Sequence, residues 1–281
     1  MTKESGKRHG KIIGFSLIVA LVVIGYFFIQ SNPGNAIQNI FAPRKIRVMI
    51  YNIHHGVGMD GEYDISRIVS VIRKQEPHFV CLNEVDYKTR RTNGDEQARM
   101  IAAELGMNFT FARNIELQGG FYGNAILTKF PIEFAENKLL YNRLNSEQRG
   151  LLHIFTHIGG RRVHVYTTHL STDSTESGKQ VKEILNIILE WAIEDPVILA
   201  GDFNLQPKSS KIYELTYYFA DYGMSLAESG WSYPSDEPEK KIDYIFYNSM
   251  FSVKSYGVIK DEQAVIASDH LPIVGIYDFK D

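Results

Sequence analysis

The chain has 281 residues, 44% of them apolar and 22% charged, a balance that excludes disorder as the default and allows one large domain or two small ones. Its single cysteine, Cys81, excludes an internal disulfide framework, and no Cys/His spacing of the zinc-ribbon kind is present. The net charge is −3; the first eleven residues hold four of the 30 Lys and Arg and one of the 33 Asp and Glu, which leaves 26 against 32, a net −6, and makes a charge-driven nucleic-acid binder a poor fit.

Met1 to Lys11 is basic through Lys3, Lys7, Arg8 and Lys11, and Ile12 to Ile29 follows as 18 residues without a charge. That run is near the lower limit for a membrane-spanning helix and longer than a usual signal-peptide core. No small-x-small cleavage site follows directly. The first expectation is therefore an uncleaved signal anchor over 12–29, with residues 1–11 a cytoplasmic tail and the rest outside the cytoplasm. A signal peptide cut near Ala36 is the second. Residues 30–45, with Pro33, Gly34 and Pro43, read as a linker reaching at most about 50 Å.

Ile46 to Ile53 reads as a first strand delivering Asn52, His54, His55 and Gly56. Asp64 to Gln75 carries Ile65, Ile68, Val69 and Ile72 at helical spacing, with Asp64 as N-cap and Pro77 as the stop. His78 to Leu82 is a second buried strand, and Cys81 within it a small core residue. Asp95 to Leu105 reads as a helix closed by Gly106. Phe109 to Ala112 is a short strand. A glycine-rich loop, Gln118 to Tyr122, leads into Gly123, Asn124 and the strand Ala125 to Thr128. Leu151 to Ile158 and Arg162 to Thr168 pair around Gly159-Gly160 and deliver His169. His153, His157 and His164 on them read as solvated or cross-strand residues, and His78 as a strand-edge residue.

Ser177 to Ile193 is a third helix. It leads into Val197-Ile-Leu-Ala200, an apolar run typical of a strand buried on both faces, followed by Gly201-Asp202-Phe203-Asn204. Alone, that tetrapeptide fits a turn as well as a cation or phosphate site. Ser209 to Ala220 is a tyrosine-rich helix with a packed face. Ile242 to Phe246, Phe251 to Ile259 and Ile273 to Tyr277 are the last strands, with Ser268-Asp269-His270 ahead of the final one.

Polar groups thus stand at the strand ends: Asn52, Glu84, His169, Asp202 with Asn204, Asp243, and Asp269 with His270. If they converge, four carboxylates share one pocket, which requires a divalent cation or protons to offset repulsion. Oxygen ligands without cysteine favour Mg²⁺, Mn²⁺ or Ca²⁺ over zinc.

Taken in order, Tyr51-Asn52-Ile53-His54, Leu82-Asn83-Glu84-Val85, Tyr122-Gly123-Asn124, Thr168-His169-Leu170, Gly201-Asp202-Phe203-Asn204, Ile242-Asp243-Tyr244-Ile245 and Ser268-Asp269-His270 resemble the endonuclease/exonuclease/phosphatase superfamily, the DNase-I-like metal-dependent phosphoesterases. The resemblance covers Ile46 to Tyr277. It implies an α/β domain over 46–281, built as a four-layer αββα sandwich. It also implies roles. Glu84 is the principal ligand of Mg²⁺ or Mn²⁺, with Asn52 and Asp269 beside it. His270, held by Asp243, is the general base, and Asp202 orients the water or holds a second metal. Asn204 and His169 bond the phosphoryl oxygens, and Asn124 and His54 add phosphate contacts. His55 is left between a packing and a functional role.

One departure bears on the substrate. Asp86 falls where pancreatic-type nucleases carry a DNA-contacting arginine, and an acidic residue there repels a phosphate backbone. With the anchor, it points to an extracytoplasmic, membrane-tethered phosphodiesterase acting on a lipid headgroup or small phosphodiester. A surface nuclease on DNA or RNA is the alternative, and a non-catalytic binding protein on the same fold the lesser one.

Overall fold

The computed structural model describes residues 42–192 and 194–280. The expected tail (1–11), the anchor (12–29), most of the linker (30–45) and Ile193 lie outside the described residues. Among the described residues no helix is long and apolar enough to cross a membrane. By contacts residues 44–157 with 161–280 form one compact unit, which holds every site residue.

Its elements are β1 (Lys45–Asn52), α1 (Ile65–Gln75), β2 (Phe79–Tyr87), α2 (Gln97–Leu105), β3 (Asn108–Leu117), β4 (Gly120–Thr128), β5 (Phe134–Leu139), β6 (Gly150–Ile158), β7 (Arg161–His169), α3 (Ser174–Trp191), β8 (Val197–Asp202), α4 (Ser210–Thr216), β9 (Asp243–Tyr247), β10 (Phe251–Val258), α5 (Glu262–Ala267) and β11 (Ile273–Phe279). They form a six-stranded sheet, β10-β11-β1-β2-β4-β3, and a five-stranded sheet, β5-β6-β7-β8-β9.

Side-chain alternation explains the layers. Met49 and Tyr51 of β1, with Val80 and Leu82 of β2, pack against Ile68, Val69 and Ile72 of α1, Ile101 of α2 and Ala264 of α5. The alternate residues Val48, Ile50 and Cys81 are equally buried, on the side where β1 and β2 meet β7, β8 and β9 of the second sheet. There Leu199, Tyr166 and Phe246 face outward onto Val181, Ile184 and Ile188 of α3 and Ile212 of α4. The result is helices, sheet, sheet, helices: a DNase-I-like α/β sandwich. Each buried aliphatic side chain contributes roughly 1.5–3 kcal/mol. Asp64 caps α1 by accepting from Ser66 N, and Gly106 ends α2 at φ 63°, as expected.

The histidines of β6 and β7 are a cross-strand pair. His153 Nε2 lies 2.9 Å from His164 Nδ1, and His164 Nε2 lies 3.2 Å from Asp195. The carboxylate accepts, so His164 Nε2 donates to it and His153 Nε2 donates to His164 Nδ1. His153 stacks on Tyr166 at 4.1 Å. Burial, then the neighbouring His164, pushes His153 down to about 3. The unfolded chain therefore binds a proton below pH 6.5 that the folded chain refuses, and stability present above that pH is lost as pH falls toward 3. At pH 5 the loss is about 2 kcal/mol, or roughly 4–8 °C in Tm. His153→Phe should flatten Tm between pH 6.5 and 5 relative to wild type, as followed by circular dichroism. Only His157 of the three is solvated, and it pairs with Glu133 at 2.8 Å.

Candidate active site

Topology brings the polar strand ends together. β1 runs parallel to β2 and β7 parallel to β8, so Asn52, Glu84, His169 and Asp202 all lie toward one edge. β9 runs antiparallel to β8 with Asp243 opposite Asp202, so it begins at that same edge. β11 is antiparallel to β1, with Ile273 opposite Ile50, which puts Asp269 and His270 beside the end of β1. The edge opens into a cleft of about 740 Å³ lined by Glu84, Asp202, Asn204, His169, Asp269 and His270, among others.

The backbone is locally strained where the chemistry sits. Register slips between Leu82 and Val85, and Glu84 adopts φ 58°. Asn204 (φ 51°), His54 (φ 43°) and His55 (φ 45°) share that left-handed region. Such residues cost about 1–3 kcal/mol each and persist only where surroundings hold them. The Glu84 bulge aims a strand residue into the cleft.

Two groups of polar side chains meet at Asp202, which Asn52 joins to Glu84. In one, His270 Nδ1 lies 2.9 Å from Asp243 Oδ2, and Ser232 Oγ donates to the same oxygen at 2.6 Å. His270 Nε2 stands 3.6 Å from Asp202 Oδ2. Burial, then the adjacent Asp243 charge, raises the Asp202 carboxyl to about 7. Burial alone would lower His270, yet Asp243 and Asp202 outweigh it and raise the imidazole to about 10. The expected general base thus stands in a field that favours its protonated form, beside an Asp202 carboxyl raised by burial and Asp243.

In the other cluster, Asn52 Nδ2 donates to Glu84 Oε1 at 3.0 Å and to Asp202 Oδ2 at 3.1 Å. Its oxygen accepts from His54 N at 3.1 Å. Asn52, expected as a metal ligand, bridges the two carboxylates through its amide nitrogen. Burial raises the Glu84 carboxyl, but the His55 imidazole beside it and the Asn52 amide hold it well below the usual range. Burial, with Arg149 nearby, holds the His169 imidazole well below its ordinary range. Asn204 Nδ2 lies 3.1 Å from His169 Nε2 and donates to Leu170 O at 3.0 Å.

Two expectations change. Asn124 does not line the cleft. Its carbonyl accepts from Asn83 Nδ2 at 2.9 Å and its amide donates to Gly150 O, so it braces Asn83, whose own oxygen accepts from Asp202 N. Asp86 is fully buried and forked by Arg91 at 2.7 Å through both carboxylate oxygens. It does not repel a substrate; its partner Arg91 lines the cleft instead.

Sequence reasoning missed Arg91, Arg149, Lys240 and Lys241. Arg149 is 9% exposed, pairs with Glu147 at 2.9 Å, and leaves its buried Nε without a partner. Lys241 is buried against Asp221 at 3.1 Å and donates to the Asp243 carbonyl at 2.9 Å, which anchors the strand carrying the His270 partner. No spacing signal marks these cations, because Arg91 stands in a single 3-10 turn and the others stand just ahead of strands.

The profile of the Endonuclease/Exonuclease/phosphatase family matches residues 49–270. The chain belongs to this family. Its fold is that of enzymes acting on phosphoester bonds. The chain is 28% identical over 174 residues to YbhP, an uncharacterised protein of Escherichia coli (strain K12), covering 57% of this chain and 67% of that one. Among solved structures it resembles a family protein from Beutenbergia cavernae DSM 12333 (TM-score 0.69, 24% identity, 84% of this chain and 72% of the other). It also resembles a mannosyl-6-phosphatase of Bacteroides thetaiotaomicron VPI-5482 (TM-score 0.68, 16% identity, 83% and 100%). At these identities the structures speak for the fold.

The residues of the cleft fit a divalent cation. Glu84 and Asp269 face the opening, Asp243 Oδ1 is buried without a partner, and Arg91 and Lys241 are engaged by Asp86 and Asp221. Glu84, Asp202 and Asp269 line the cleft and Asp243 lies behind His270, an array of carboxylates that a hard divalent ion offsets.

Proposed function

We propose that this protein hydrolyses phosphoesters with the help of a divalent ion, Mg²⁺ or Mn²⁺, as a phosphodiesterase on a small or lipid-linked substrate. The observation that carries the reading is the gathering of Glu84, Asp202 and His270, with Asp243 behind the imidazole, in one cleft rimmed by Arg91, Arg149 and Lys240. Glu84 and Asp269 would hold the ion, which supplies positive charge for the phosphoryl oxygens. Asp202 takes the proton of the attacking water, since its carboxyl is tuned near the working pH. His270, kept charged by Asp243, donates to a phosphoryl oxygen, and Asn204 and the neutral His169 line the same wall. The uncharged run 12–29 behind a basic tail supports a cell-membrane tether with the catalytic domain outside the cytoplasm.

The burial of Asp86 favours a second reading, a surface nuclease, because the acidic argument against a phosphate backbone no longer applies. A substrate panel separates the two. The full-length protein is incubated with Mn²⁺ or EDTA and a chromogenic phosphodiester, its monoester, vesicles of phosphatidylinositol and sphingomyelin, or plasmid. The likeness to a protein named as a sugar phosphatase motivates the monoester. EDTA-sensitive turnover of the diester or the vesicles with plasmid intact is expected. Nicking of plasmid at a comparable rate would replace the lipid reading with the nuclease.

A further inference from the structure

A ring nitrogen of His54, a ring nitrogen of His55 and a carboxylate oxygen of Glu84 lie within 4.8 Å of one another at the wall of the cleft. We propose that these three residues form a nitrogen-containing site that takes a divalent transition ion such as Zn²⁺, Mn²⁺ or Fe²⁺ in preference to Mg²⁺. This inference rests on the reading of the cleft as metal-dependent.

His55 has an unfilled role. Its Nδ1 is buried and has no hydrogen-bond partner. It stands 3.9 Å from Glu84 Oε2, too far for a hydrogen bond. That separation is close to the roughly 3.4 Å between two ligands of a tetrahedral ion bound at about 2.1 Å. His54 is prepared in a complementary way. Its Nδ1 lies 3.0 Å from Val57 O, an acceptor only, so Nδ1 carries the proton and Nε2 keeps the lone pair. A metal-ligating histidine is commonly fixed in this manner, by a backbone carbonyl on its other nitrogen.

The three residues are held before any ion arrives. All have left-handed backbones. Asn52 accepts from His54 N, Gln97 Nε2 donates to His55 O at 2.6 Å, and Asn52 Nδ2 grips Glu84. The rings of His54 and His55 meet edge-on at 4.5 Å. Two imidazoles and one carboxylate suit zinc, manganese or iron, whereas Mg²⁺ prefers oxygen donors and retained waters. Three protein ligands also leave a position open for water or a phosphoryl oxygen.

The test uses the full-length protein stripped of metal and titrated with Co²⁺, followed by visible absorption, and separately with Mg²⁺ by calorimetry. The variants are His54→Asn and His55→Asn, because asparagine tolerates the left-handed backbone, with Glu84→Gln as a third. Each histidine variant should weaken Co²⁺ binding at least ~10-fold and change the absorption band, leaving Mg²⁺ affinity as in wild type. Glu84→Gln should weaken both ions. Unchanged Co²⁺ affinity and spectrum in both histidine variants, with loss only in Glu84→Gln, would overturn the nitrogen site while the hydrolase reading stands. Failure of the wild type to bind any divalent ion would overturn both.

Discussion

Glu84→Gln is expected to remove metal-dependent turnover, a fall in kcat of at least ~10³-fold, from a protein that remains folded. The substitution keeps shape and the left-handed bulge but takes away the charge. Burial raises the Glu84 carboxyl, yet its neighbours, His55 first, hold it well below the usual carboxylate range, so it is ionised at neutral pH. An ionised carboxylate at the cleft wall is the strongest anchor for a hard cation, and such an ion contributes several kcal/mol to the stabilisation of charge in the transition state. Steady-state kinetics with Mn²⁺, beside a circular-dichroism spectrum matching wild type, measures it. A rate within a few-fold of wild type would remove Glu84 from the metal site.

Asp202→Asn is expected to lower kcat by about 10²–10⁴-fold, the range for loss of a proton acceptor. It also carries a signature that a structural defect would not produce. Asp202 is one of the three carboxylates, with Asp243 and Asp269, that raise His270 to about 10. With Asp202 uncharged, His270 keeps only Asp243 and Asp269 and its pKa must fall. In an NMR titration the His270 ring signals should therefore move at lower pH in the variant. A slow variant whose His270 titrates as in wild type would mean that Asp202 acts on the water without being coupled to the imidazole.

Much of this architecture was legible in the chain. Strands such as Val197-Ile-Leu-Ala200 show it because burial on both faces leaves an unbroken apolar run, and α1 because Asp64 and the 65, 68, 69, 72 spacing mark its start and face. What escaped has physical reasons. β5, Phe134–Leu139, is a partly exposed edge strand whose polar residues hide the alternation. α5, Glu262–Ala267, is six residues long, too short to display a period. β3 extends to Leu117, past the expected Ala112, because Arg113 and Asn114 interrupt the apolar pattern while the β4 ladder continues. The tyrosine-rich helix stops at Thr216 rather than Ala220, leaving Tyr217 and Tyr218 exposed.

The site divides in the same way. Glu84, Asp202, Asn204, His169, Asp243, Asp269 and His270 stand at strand ends, and parallel pairing forces those ends together. Asp86 misled because a sequence shows a charge but not its partner; five residues on, Arg91 neutralises it and takes over the cleft wall. Asn124 misled because its amide is spent inside the fold, where it steadies Asn83 and, through it, the Asp202 backbone. The approach of His270 to Asp243 and Asp202, at 2.9 and 3.6 Å, is a proximity that no spacing in the chain encodes.

The most direct measurement is hydrolysis of a chromogenic phosphodiester by the full-length protein as purified, after EDTA, and after Mn²⁺ is restored. The cleft described here predicts turnover that EDTA abolishes and Mn²⁺ returns, with Glu84→Gln silent throughout. Turnover that persists in excess EDTA, or that Glu84→Gln retains, would contradict a metal-dependent phosphoesterase centred on this site.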